Sequence, residues 1–135
     1  MTGGAIAYRS KTQSVTALSS TEAEFFAAVS VSKDILYLRS VLSDLHHPMT
    51  TPTPLYEDNE ACIKVIKSRH PTERTRHIDT PSFRIQSWFQ RGDIKPFHIP
   101  GILNPADAGS KPLGWVLHSR HSRRIMGHYY DHNKP

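Results

Sequence analysis

The spacing of apolar residues changes along the chain, and the changes mark its elements. From Ser20 to about Leu45, the residues Ala28, Val31, Ile35, Leu38, Leu42 and Leu45 recur at alternating steps of three and four, which predicts one stripe of a long helix. Upstream, Ala5 to Leu18 alternates roughly, with Ile6, Tyr8, Val15 and Leu18 as inward candidates, and reads as an extended segment. The prolines of His46 to Pro54 cannot continue a helix, so this stretch is a linker into a short strand at Leu55-Tyr56-Glu57. A second helix is predicted from about Asn59 to Ser68, followed by a polar, basic loop to Thr75. Ile78, Phe83, Ile85, Trp88 and Phe89 then suggest a third helix ending before Gly92, with Trp88 in the core. Ile94 to Ile99 alternates weakly as a final strand, which Pro96 demotes toward an edge. Asn104-Pro105-Ala106-Asp107 has the form of a helix start, and the last twenty or so residues show no clear period. Strands interleaved with helices point to an α/β domain.

Composition narrows the function classes. The 135 residues are enough for one small domain with a core. No apolar run approaches the roughly 18 residues of a membrane helix, and Met1-Thr2-Gly3-Gly4 does not resemble a signal peptide, so no membrane partner and an intracellular location are expected. The single Cys62 supports neither an internal disulfide nor a cysteine zinc site. Seventeen Lys and Arg against 12 Asp and Glu give a formal charge of +5, and all of the excess lies beyond residue 45. One cluster comprises Lys64, Lys67, Arg69, Arg74 and Arg76. A second, Arg120, Arg123 and Arg124, is interleaved with histidines. Either cluster suits a nucleic acid, and either also suits an ordinary solvated surface. His118-x-x-His121 and His128-x-x-x-His132 have spacings compatible with zinc, but the arginines between them disfavour a second cation.

Three carboxylates occupy unusual places. Glu24 precedes Ala28 by four residues and Val31 by seven, so it falls in the middle of the first helix's apolar stripe, where an ionised acid needs a partner. Ser19-x-x-Glu22 and Thr21-x-x-Glu24 both match a capping box; if the first pair forms it, Glu24 is free for chemistry. Asp58 follows the first strand, at the carboxyl end where ligands bind in open α/β sheets, although taken alone it suits an N-cap. Asp107, third after Asn104, taken alone suits a capping-box acid. Together the three acids could converge at one end of a sheet. Hard oxygen donors with few His or Cys nearby select Mg²⁺ or Mn²⁺, and two such ions would support phosphodiester hydrolysis.

At these residues the chain resembles the ribonuclease H domain of copia-type (pseudoviral) retrotransposon polyproteins. The resemblance rests on Ser10-Lys11-Thr12-Gln13, Ala17 to Glu24, Glu57-Asp58-Asn59, Arg74-Thr75-Arg76-His77-Ile78-Asp79, and Asn104-Pro105-Ala106-Asp107 followed by Lys111-Pro112-Leu113. It covers residues 4 to 113. It implies an RNase H-like fold, a mixed sheet flanked by helices, lacking here the first strand and most of the second. It also implies two-metal hydrolysis of the RNA strand of an RNA/DNA hybrid during reverse transcription, with Glu24, Asp58 and Asp107 as metal ligands. The family's first catalytic aspartate has no counterpart after Met1, so impaired activity is expected unless another chain, such as the rest of a reverse transcriptase polyprotein, supplies it. Residues 1–113 then form a partial RNase H-like domain and 114–135 a basic, His-rich extension. The expected setting is cytoplasm, virus-like particle or nucleus. A noncatalytic remnant binding nucleic acid or protein is the alternative.

Overall fold

A computed structural model describes residues 4–8, 20–68 and 79–127, with the backbone alone for 79–82. The chain divides into two compact units, Val15–His98 and the pair of segments Met1–Ser14 with Ile99–Pro135. Most of the extended segment, the 69–75 loop and the final eight residues lie outside the described residues.

In the first unit the elements run α1 (Ser20–Asp44), β1 (Thr53–Glu57), α2 (Glu60–Lys67), α3 (Asp79–Gln90) and β2 (Ile94–His98). The two strands are parallel, with Thr53 opposite Ile94 and Glu57 opposite His98. Parallel neighbours need a long crossover, which α2 and α3 provide. This mixed α/β arrangement is consistent with part of a ribonuclease H-like fold. Leu55, Ile94 and Pro96 alternate inward and are buried, whereas Pro54, Tyr56, Lys95 and Phe97 face outward and are exposed. The core joins Leu55 and Ile94 to Phe25, Ala28 and Val29 of α1, Cys62 and Ile66 of α2, and Ile85 of α3. Trp88 packs against this core, as its place in an apolar run predicts.

The buried face of α1 differs from the expected stripe. Phe25, Ala28, Val29 and Ser32 are buried, while Val31 and Leu45 are 43% and 61% exposed. The helix is rotated because Ser32 is admissible inside: its hydroxyl donates to the Ala28 carbonyl at 2.7 Å, so no polar group is stranded. The helix also stops before any proline acts. His46, with φ at 61°, takes the left-handed position after the last turn, and His47 N–H bonds Leu42 O at 2.8 Å in a Schellman closure. Gly92, with φ at 77°, closes α3 in the same way. Arg39 then fastens the linker, donating to Met49 O, Thr51 O and Thr53 Oγ1 at 2.8–3.0 Å.

In the second unit, short 3-10 helices at Gly101–Leu103 and Pro105–Gly109 precede α4 (Trp115–Ile125). α4 corrects the expectation of an aperiodic end. Its inward stripe is Leu117, His121 and Ile125, four residues apart, and the fully buried histidine at its centre disguises the period. Ala5 N–H donates to Ile125 O at 2.7 Å, and Arg124 Nη1 to Leu103 O at 3.2 Å. Among the described residues, no helix is long and apolar enough to cross a membrane.

Candidate functional site

The carboxyl end of β1 meets the first turns of α1. Asp58 follows the last residue of the strand, but it is not the cap of α2. Asn59 takes that position in an extended conformation, φ −94° and ψ 106°, and its Oδ1 accepts from Ala61 N–H at 2.9 Å and Cys62 N–H at 3.2 Å. Its Nδ2 donates to Thr21 Oγ1 at 3.2 Å, holding the start of α1 against the start of α2. Glu24, one turn further along α1, is thereby brought to Asp58.

A third acid joins them. Glu24, Glu57 and Asp58 each place a carboxylate oxygen within 4.8 Å of the others, and all three residues are half-buried. Glu24 Oε2 is buried with no hydrogen-bond partner among the described residues. Burial pushes the Glu57 carboxyl up from 4.5 to about 7, and the charges of Glu24 and Asp58 add to this, while a hydrogen bond from Asn59 N–H at 3.2 Å opposes it. Glu57 was missed as a site residue, although period-two alternation was the available signal: it lies on the same strand face as buried Leu55, two residues earlier. Crowded oxygen donors are chemically suited to a hard divalent metal ion. Cys62 lies fully buried behind the acids, and burial followed by the charge of Glu57 pushes its thiol far up, which makes it inert.

Asp107 belongs to the other unit. It does not act as a capping-box acid: Asn104 N–H is taken by Gly101 O at 3.0 Å, and Asp107 Oδ1 instead pairs with Lys111 Nζ at 2.8 Å. Asn104 does cap the short helix, its Oδ1 accepting from Ala106 N–H at 3.1 Å. Lys64 and Lys67 share the exposed face of α2, opposite Cys62, Ile63 and Ile66. Arg120, Arg123 and Arg124 are exposed on α4; Arg69, Arg74 and Arg76 lie outside the described residues, as do His128 and His132.

Comparison with known proteins bears on what this site serves. The chain is 34% identical over 109 residues to the retrovirus-related Pol polyprotein from transposon TNT 1-94 of Nicotiana tabacum, covering 81% of the chain. It is 28% and 29% identical over 120 residues, 89% of the chain, to the retrovirus-related Pol polyproteins from transposons RE2 and RE1 of Arabidopsis thaliana. Its homologues are retrovirus-related Pol polyproteins. The chain spans 8% of the length of each of these relatives. No family model matches the chain, and no solved structure matches it significantly. A retrotransposon Pol origin therefore rests on sequence similarity that runs through both units.

Proposed function

We propose that this chain is the ribonuclease H portion of a copia-type retrotransposon Pol polyprotein, acting on the RNA strand of an RNA/DNA hybrid. The observation that carries the reading is the meeting of Glu24 and Asp58, from distant parts of the sequence, at the carboxyl end of β1, with one Glu24 oxygen buried and without a hydrogen-bond partner among the described residues. Glu24 and Asp58 would hold Mg²⁺ or Mn²⁺, with Glu57 as an adjacent donor. When bound, two such ions supply an activated water and stabilise the leaving oxygen. Lys64 and Lys67, with the arginines of the two basic clusters, would face the phosphates of the hybrid. Such a domain would work beside the rest of a reverse transcriptase polyprotein, in the cytoplasm, a virus-like particle or the nucleus.

Calorimetric titration with Mn²⁺, paired with cleavage of a labelled hybrid in Mg²⁺, tests this reading. Saturable metal binding weakened at least tenfold by Glu24→Gln, with hybrid cleavage abolished by Asp58→Asn, supports it; cleavage that survives Asp58→Asn overturns it. The Asp107–Lys111 ion pair favours a second reading, a noncatalytic module that binds nucleic acid or protein, because the lysine already neutralises one of the three acids. Salt-dependent hybrid binding without metal binding or cleavage selects that reading.

A further inference from the structure

The outward face of the two-stranded sheet carries an arrangement that neither the acids nor the basic clusters use. Tyr56 on β1 and Phe97 on β2 are directly paired in the strand register and point away from the core. Their ring centroids lie 6.0 Å apart with planes tilted by 35°, and they are 60% and 40% exposed. Lys95 lies on the same face, its Nζ 5.3 Å from the centre of the Phe97 ring. We propose that this face is a stacking platform for single-stranded nucleic acid, with Tyr56 and Phe97 each taking a base and Lys95 meeting the neighbouring phosphate.

Three considerations select this occupant. Paired aromatic rings beside a cation match the two parts of a single strand, flat bases and an anionic backbone. A duplex keeps its bases stacked internally and offers exposed rings nothing to stack upon. A second copy of the chain fits poorly, since two five-residue strands present only about 200 Å², several-fold below the ~800 Å² each partner gives to a stable dimer. The inference does not depend on the metal centre, because Glu57 lies on the opposite strand face and stacking requires no metal.

Fluorescence anisotropy of the whole chain with a labelled oligothymidylate of about ten nucleotides, in EDTA, tests it. Tyr56→Ala and Phe97→Ala are each expected to weaken binding roughly five- to a hundredfold, while Tyr56→Phe retains it. Lys95→Ala is expected to flatten the log–log salt dependence by about 0.7. Loss of binding with an unchanged melting temperature supports the platform. Absence of binding by the parent chain, equal binding by both alanine variants, or a dimer that Tyr56→Ala dissolves overturns it. EDTA keeps this outcome separate from any failure of the metal-dependent reading.

Discussion

Asn59 Nδ2 donates to Thr21 Oγ1 across 3.2 Å, and this bond joins two residues 38 positions apart at the point where α1 and α2 begin. The same side chain satisfies two orphan N–H groups of α2, while the backbone N–H of Asn59 donates to Glu57 Oε1. Asn59→Ala is therefore expected to lower stability by about 1–2 kcal/mol in urea unfolding, and Thr21→Val by less, since it leaves the cap intact. If Asn59 also positions the acids, its loss weakens Mn²⁺ binding more than Asn59→Asp, which retains the capping oxygen.

The raised Glu57 carboxyl makes stability depend on pH in a definite direction. Its folded value of about 7 exceeds the ordinary 4.5, so between these values the folded chain keeps a proton that the unfolded chain has released. Stability attributable to Glu57 accordingly falls as pH rises from about 4.5 to 7, by on the order of 2 kcal/mol after allowing for partial exposure. Urea melts at pH 5 and pH 8 in EDTA should show this loss, and Glu57→Gln should reduce it. An unchanged pH dependence in the variant would exclude Glu57 as its source.

The second unit should respond in the opposite sense. Burial, followed by the charge of Arg124, lowers the pKa of His121, against an opposing contribution from Asp107. The folded histidine stays neutral where the unfolded one takes up a proton, so its contribution to stability is lost as pH falls below about 6.5. Neither ring nitrogen has a hydrogen-bond partner among the described residues. His121→Leu is expected to raise stability by about 1 kcal/mol at pH 7 and by more at pH 5, as read by thermal melts.

Two helix ends share one closure with different residues. Gly92 adopts its positive φ freely, whereas His46 does so with a side chain in the left-handed region. His46→Gly should therefore raise stability by about 1 kcal/mol, whereas Gly92→Ala should lower it by a similar amount. Equal melting temperatures for His46→Gly and the parent would show that the His46 conformation carries no penalty.

Gln86 offers a check on the junction between α2 and α3. It is 5% exposed, and its Nε2 donates to Val65 O and Ser68 Oγ, both at 3.0 Å. Gln86→Leu removes both bonds, although Val65 O still accepts from Ser68 Oγ at 2.8 Å, and should lower the urea midpoint by the equivalent of about 1 kcal/mol.

Local chemistry made much of the first unit legible. Steps of three and four located α1, and the apolar residues before Ser68 and Gly92 located α2 and α3, each within a few residues of its observed limits. Where a polar residue is buried, the same reasoning failed. Ser32 hid the true face of α1, and His121 hid α4, because a period read from hydrophobicity cannot register a polar group whose burial is decided by its surroundings.

The candidate site divides along the same line. The sequence alone determined that Glu24 lies one turn before Ala28 on a long helix and that Asp58 follows a strand, since both positions follow from local periodicity. Only the tertiary structure decided that Asn59 and not Asp58 caps α2, that Glu57 joins the acids, and that Asp107 pairs with Lys111. Those outcomes depend on which groups meet across long stretches of chain, where packing and burial set the partner of each carboxylate. Spacing along the sequence can put Glu57 on the inward strand face, but it does not name the groups that each carboxylate meets.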